Sequence, residues 1–411
     1  MTYDLAIAGT GPAGLMTADR ASEKGLRTIV LEKRNHVTDS LMGELVTDNA
    51  LRLLRVKPDS EFIGNKYSEI VGESLDTGAN VVVGKELLGN AYLFDEDKCQ
   101  ELMRDRAEAN GAEFKYGARV RSVIKENGSV VGMKYKTDDE VRAKLTVGAD
   151  GAFSRVSETA GFRSFVKKWL LSYGYRWKLE NCKGVDPNVA YFYVGKDVGL
   201  GYLWLYPRSE SEVNLGIGRV PSSKTNWDAL PPMQEVLRKY KNSHSETKDA
   251  TIASVNGGVV PCAGIIPRFT DAGVALCGNS AGQVSSIVGG GVTTCFHAGT
   301  LLAKHAARAI EEDDVSKKSI EKYEKEYRKT KLAYNITQTG KGMWAVSKFA
   351  MFNDPIDAAE VVLESLDART LNAAIQGNMK VSDIMTLLTD FLPMVMTIGK
   401  GYLRSIAVSG L

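Results

Sequence analysis

The stretch Asp4–Lys33, DLAIAGTGPAGLMTADRASEKGLRTIVLEK, decides the fold of this 411-residue chain. Residues 3–8 form an apolar run without alternation, the pattern of a strand buried on both faces. GTGPAG then supplies a turn, residues 12–24 carry helical spacing, and LRTIVLEKR predicts a second strand. Together they make one β-α-β unit. Gly9, Gly11 and Gly14 stand between the first strand and the helix as G-x-G-x-x-G, and Glu32 ends the next strand. Gly9 allows the tight turn, Gly11 lets main chain approach a pyrophosphate, and Gly14 lets helix and strand touch, while Glu32 can take ribose hydroxyls. A carboxylate there repels a 2′-phosphate, so the unit suits FAD or NAD rather than NADP.

The composition narrows the rest. At 44 % hydrophobic and 25 % charged it is ordinary for a globular chain, long enough for two or three domains. Lys and Arg number 52 against 50 Asp and Glu, which leaves no one-signed field to hold nucleic acid. Cys99, Cys182, Cys262, Cys277 and Cys295 are odd in number and never spaced C-x-x-C. Neither a disulfide framework nor a zinc or iron–sulfur site is expected, and a reducing, cytoplasmic setting fits. His36, His244, His297 and His305 are too scattered for a metal centre, and no metal is expected. The opening MTYDLAIAGTG runs into the first strand without a basic leader, which predicts a segment of the fold rather than an export signal.

Further along, DKCQELMRDRAEANG reads as a helix over 97–110, followed by short β segments up to LTVGADGAFSR. From about 165 to 270 the pattern becomes short alternating segments with one helix near 229–241, an antiparallel sheet inserted into the first domain. The α/β pattern returns with AGVALCGNSAG and a helix headed by glycines. The expected division is a discontinuous dinucleotide domain of 1–75, 95–160 and 270–340, an antiparallel-sheet substrate domain of 76–94 and 161–269, and a helical C-terminal region, 341–411.

Two later motifs choose between the dinucleotides. VGADGAFSR sets Asp150-Gly151 at a strand end, and CGNSAGQVSSIVGGGV resembles the second ribityl-binding motif of flavoproteins of glutathione-reductase type. With the fingerprint, they resemble the three-part signature of the p-hydroxybenzoate-hydroxylase-like branch, which implies FAD on a Rossmann-like α/β domain. Gly289, Gly290 and Gly291 ahead of a helix would let backbone amides approach the flavin ring, and the helix start would stabilise negative charge on it. The resemblance implies cofactor contacts at Gly9, Gly11, Pro12, Ala13, Gly14, Glu32, Lys33, Gly43, Glu44, Val120, Asp150, Gly151, Gly278, Asn279, Gly289, Gly290, Gly291 and Val292.

Tyr202, Trp204 and Tyr206 alternate with Leu203 and Leu205, so a strand there carries three rings on one face. The run YLWLYPR, followed by Gly216-x-Gly218, resembles the Y-x-W-x-F-P-(K/R) and G-x-G motif of the geranylgeranyl reductase family. With the flavin motifs, that resemblance spans most of the first 340 residues. It implies a reductase that saturates isolated double bonds of isoprenoid chains, the aromatic strand holding a polyene through shape and dispersion. Glu44 would relay a proton, and Glu44, Tyr202, Trp204 and Tyr206 form the expected catalytic set. The electron donor stays open between NAD(P)H and a protein such as ferredoxin. A hydroxylase of the same fold, a menaquinone side-chain reductase and a flavin-containing electron-transfer or lipid-binding protein are the alternatives.

Three positions depart from the family. Met42 replaces the cysteine of its Cys-Gly-Glu segment, Glu96-Asp97 replaces an Arg-Asp pair, and Gly278-Asn279 replaces Gly-Asp. Asn279 can still bond a ribityl hydroxyl, but it carries no charge. Near the C-terminus, VSDIMTLLTDFLPMVMTIGKGYLRSI holds an apolar run too short and too broken to span a membrane. It suits packing, or peripheral contact at the cytoplasmic membrane face from which a lipid would be drawn.

Overall fold

Leu5, Ala6, Ile7 and Ala8 are all buried because β1 (Thr2–Ala8) runs between parallel neighbours, β2 (Thr28–Leu31) and β11 (Asp139–Gly148). The computed structural model describes residues 2–38, 42–162, 170–220, 230–286, 288–349, 368–376 and 379–380. They fall into two units: Met1–Lys66, Asn90–Lys167 and Gly258–Thr337 form the first, and Tyr67–Gly89, Lys168–Gly257 and Gln338–Leu411 the second.

In the first unit, an eight-stranded sheet follows the order β17 (Thr270–Asp271), β18 (Val274–Leu276), β11, β1, β2, β8 (Glu113–Lys115), while the antiparallel pair β9 (Val120–Glu126) and β10 (Ser129–Tyr135) joins through β11. The helix α1 (Pro12–Ser22) starts on Pro12, whose fixed φ and missing N–H suit a first turn. It is buried along its whole length, packed on α7 (Val292–Glu311). Gly299 of α7 makes that approach possible, since a Cβ there would stand 2.9 Å from the Ala13 carbonyl oxygen. A smaller sheet, β3 (Leu45–Thr47), β7 (Ala91–Phe94) and β4 (Ile63–Tyr67), lies beside α2 (Asp48–Leu54) and α4 (Glu96–Ala109). The helices α5 (Arg155–Ala160) and α8 (Lys317–Arg328) complete the unit.

The second unit is built on a seven-stranded sheet in the order β16 (Thr251–Pro261), β12 (Leu171–Glu180), β15 (Val213–Arg219), β14 (Gly201–Pro207), β13 (Val189–Val194), β5 (Glu69–Ser74), β6 (Asn80–Val83). One face packs an apolar core of Trp177, Leu179, Leu203, Leu205, Leu215 and Ile217 against α6 (Met233–Ser243). The short α3 (Lys85–Leu88), α9 (Lys331–Phe349) and the helix Ala368–Gln376 are the remaining helices among the described residues.

Two features differ from the sequence reading. The sheet is antiparallel through β12, β15, β14 and β13, but β13 and β5 run parallel, because β5 arrives from more than a hundred residues upstream with no hairpin to reverse it. That pairing draws residues 69–74 into the second unit although they were expected in the first, and pairing with β3 keeps β7 in the first although 91–94 was expected in the second. Residues 381–406, the apolar C-terminal stretch, lie outside the described residues. Among the described ones no helix is long and apolar enough to cross a membrane.

Candidate functional site

The glycine turn of the first unit has the geometry the fingerprint demands. Gly9 adopts φ +98°, which is costly for any residue with a side chain, and a Cβ on Gly14 would stand 2.0 Å from the Gly9 carbonyl oxygen. Gly11 differs. It is the N-cap of α1, no side chain caps the helix there, and a Cβ would meet no protein atom within 4 Å. The backbone at Gly11 therefore borders open space beside a helix start, where an anion can sit.

Glu32 follows β2 and is 2 % exposed. Its Oε2 accepts hydrogen bonds from the Thr10 N–H at 2.9 Å and the Thr10 hydroxyl at 2.8 Å, and Oε1 accepts from the Arg34 N–H at 2.9 Å. The carboxylate is thus locked in place within the turn. Thr10, hidden at an "x" of the fingerprint, was missed by sequence reasoning. Its position between Gly9 and Gly11 was the available signal. Lys33 is next along, its amine pushed below the ordinary range by burial and by Arg34. Ala118 donates to the Glu32 carbonyl at 2.7 Å, which brings the start of β9 and Val120 to the same end of the sheet.

Asp150 lies just past the end of β11. Its Oδ1 accepts from the Ser154 hydroxyl, and Oδ2 accepts from the N–H groups of Arg155 at 2.7 Å and Val156 at 3.2 Å. The carboxylate caps the start of α5, and burial raises its pKa against the lowering effect of those bonds. Gly151 follows with φ +87°.

The second flavin motif meets the first. A Cβ on Gly278 would lie 2.6 Å from the Cβ of Ala13, so the two loops touch. Gln283, which the sequence did not single out, accepts from the Gly278 N–H at 2.7 Å. Asn279 lies in a single 3-10 turn, Gly278–Ala281, and its Oδ1 would be 3.7 Å from a Cβ placed on Gly291. Gly289 and Gly290 lead into Gly291, the N-cap of α7, which carries no side-chain cap, and Val292 opens the helix. Gly43 reaches the same place, since a Cβ there would stand 3.3 Å from Val292. Glu44, 3 % exposed, is held by the Phe94 N–H donating to its carbonyl at 2.8 Å.

Both helix starts, the lock on Glu32 and the unfilled space at Gly11 fit a flavin adenine dinucleotide, whose pyrophosphate needs backbone donors and whose ribose needs a fixed acceptor. Among the described residues no group of three or more His, Cys, Asp or Glu could hold a metal ion. The Nε2 of His297 is buried without a hydrogen-bond partner among them, and His305 instead pairs with Glu326 at 2.7 Å.

In the second unit, Tyr202, Trp204 and Tyr206 share one face of β14, with adjacent ring centroids 5.9 and 6.1 Å apart. Phe192 of β13 joins them, 5.1 Å from Tyr202 and 5.5 Å from Tyr206. Leu203 and Leu205 point the other way, into the core on α6. The Trp204 indole lies over Gly216, where a Cβ would stand 2.2 Å from Cζ2, and its Nε1 donates to Asn214 Oδ1 at 3.1 Å. The four rings are therefore a wall with one polar anchor behind it, a surface suited to a long apolar chain.

Residues 2–331 match the family model described as FAD binding domain. Digeranylgeranylglycerophospholipid reductase 2 of Methanopyrus kandleri is 30 % identical over 341 residues, covering 80 % of this chain and 84 % of that protein. Digeranylgeranylglycerophospholipid reductase of Thermoplasma acidophilum is 32 % identical over 336 residues, covering 79 % and 83 %. The chain belongs to the geranylgeranyl reductase family of FAD-binding proteins. Among solved structures, a geranylgeranyl bacteriochlorophyll reductase-like protein from Thermoplasma acidophilum superposes with a TM-score of 0.80 at 24 % identity, covering 97 % of this chain and 99 % of that one. The flavin-dependent brominase Bmp2 shares the fold, with a TM-score of 0.70 at 17 % identity over 98 % and 100 % of the two chains. Membership of the geranylgeranyl reductase family makes FAD the cofactor of this chain.

Proposed function

We propose that this chain is an FAD-dependent reductase that saturates carbon–carbon double bonds of geranylgeranyl chains, acting on membrane glycerophospholipids of the archaeal type. The observation that carries the reading is the ring wall of Tyr202, Trp204, Tyr206 and Phe192, in a chain whose relatives are named as reductases of such lipids. An isoprenoid offers much surface and few hydrogen-bonding groups, so rings and shape must recognise it.

Gly11 and the start of α1 would hold the pyrophosphate, Glu32 the ribose, and the glycines before α7 with Asn279 the flavin end. Bound FAD supplies a two-electron, hydride-donating ring. In each saturation one alkene carbon gains a hydride and the other a proton, so the chain must orient the alkene, exclude water and keep a proton within reach. The rings orient, and Glu44 is the proton relay in this reading. NAD(P)H or reduced ferredoxin would restore the electrons. Peripheral contact with a membrane belongs to the same reading, because the lipid chain must leave the bilayer to be reduced.

The test is anaerobic incubation of the FAD-loaded protein, chemically reduced, with a geranylgeranylated glycerophospholipid. Mass peaks heavier by successive pairs of hydrogens are expected. Unchanged lipid beside a bound, reducible flavin would overturn the assignment.

A further inference from the structure

Gln283 is fully buried and follows Gly282, the residue that ends the 3-10 turn Gly278–Ala281. Its main chain and side chain both grip that turn. The Gln283 N–H donates to the Gly278 carbonyl at 3.0 Å, and Oε1 accepts from the Gly278 N–H at 2.7 Å. The other end of the amide is held as well, with Nε2 donating at 3.0 Å to the hydroxyl of Tyr323 on α8, which is also fully buried. Tyr323 in turn donates to the carbonyl of Leu276, the last residue of β18, at 3.4 Å.

A third element is tied to the same residue. The hydroxyl of Thr294, in the first turn of α7, lies 2.7 Å from the Gln283 carbonyl oxygen and 2.9 Å from that of Gly291, so one proton serves both. Gln283 therefore stands where the turn, the start of α7 and α8 meet. Gly278 adopts φ +71° and has no side chain to restrict it, so hydrogen bonds from outside must fix its conformation. A primary amide suits that post, because it offers a donor and an acceptor on one planar group without a charge.

We infer that Gln283 is a positioning residue for the flavin: it holds the Gly278–Asn279 turn in register with the glycine-headed start of α7, and so sets FAD affinity and the flavin's reduction potential. The inference rests on the placement of the flavin end at Asn279 and the glycines before α7, and is independent of the lipid. A helix start stabilises the negative charge that the ring gains on reduction. Loosening the turn against α7 thus weakens the hold on reduced flavin more than on oxidised flavin.

The experiment measures FAD affinity and midpoint potential, without lipid, on wild type, Gln283→Leu, Gln283→Glu, Tyr323→Phe and Asn279→Ala. Gln283→Leu fills much the same space and makes neither side-chain bond. It is expected to raise the Kd for FAD about tenfold, the usual consequence of a buried donor left unpaired, and to lower the potential by about 30 mV, a tenfold loss of preference for the reduced flavin. Gln283→Glu keeps an acceptor for the Gly278 N–H and recovers most of the affinity. Tyr323→Phe removes only the outer support of the amide and moves both quantities the same way by less, so it carries the test should the Leu variant fail to fold. Wild-type affinity and potential in these variants, or weaker binding with an unmoved potential, overturns the role of Gln283 while a weakened Asn279→Ala keeps the flavin end where it is placed. Unchanged flavin binding in Asn279→Ala as well overturns that placement and this inference with it.

Discussion

Met42 and Glu96, 54 residues apart in the chain, are joined by a hydrogen bond from the Met42 N–H to Oε2 of Glu96 at 3.4 Å. Both side chains are buried, and both positions depart from the family pattern. The two departures are thus neighbours. The carboxylate of Glu96 stands in the first turn of α4 and holds the main chain at Met42, next to Gly43 and Glu44.

Replacing Glu96 by Ala strands the Met42 N–H in a buried place. The expected loss is about 1–3 kcal/mol of stability, the usual cost of an unsatisfied buried donor. Glu96→Gln keeps an acceptor and loses less. Urea unfolding of the FAD-loaded protein separates the two, and an Ala variant as stable as the Gln variant would count against the bond.

Gly11 and Gly14 sit three residues apart in one turn and predict opposite kinds of damage. Gly14→Ala drives a Cβ to 2.0 Å from the Gly9 carbonyl, so apoprotein and holoprotein alike lose stability. Gly11→Ala meets nothing in the protein and keeps an ordinary φ of −66°. Its apoprotein melts as wild type does, while FAD affinity falls by about tenfold or more because the methyl group occupies the ligand's space. Melting curves with and without FAD, beside FAD titrations, check both. A Gly11→Ala variant that binds FAD normally would remove the pyrophosphate from that loop.

The turn was legible because its chemistry is local. Gly9, Gly11, Gly14 and Glu32 fall within one β-α-β unit, and the alternation of Tyr202, Leu203, Trp204, Leu205 and Tyr206 announced which face each would take. Non-local pairing was not legible. Nothing near residues 69–74 says that they pair with β13 across more than a hundred residues, and nothing in VGADGAFSR says that the Asp150 oxygens cap α5.

Trp204 is anchored twice, by its bond to Asn214 and by the bare backbone of Gly216 beneath it. Removing the ring in Trp204→Ala deletes contact worth about 1.5–3 kcal/mol, or roughly 10- to 100-fold in kcat/KM, and more on a four-unit isoprenoid chain than on a two-unit one. Gly216→Ala displaces the indole and falls in the same direction. Steady-state rates on both chain lengths decide it, and equal losses on the two would argue for a purely structural tryptophan.

His305 of α7 bonds Glu326 of α8 at 2.7 Å, with Lys304 and Arg308 beside it. Burial lowers its pKa, outweighing the rise that Glu326 causes, so the folded state prefers the neutral ring more strongly than the unfolded state does. As pH falls, the unfolded chain takes up its proton first, near the ordinary histidine value of about 6.5. The stability this neutral ring contributes is therefore present above that value and is lost as the pH drops through the lower folded value. His305→Gln cannot take up the proton. Between pH 7.5 and 5, values chosen to bracket roughly the ordinary histidine range, wild type should lose melting temperature faster than the variant. Titrating groups that do not touch His305 move both curves alike, so parallel curves would show that the His305–Glu326 pair contributes nothing to acid sensitivity.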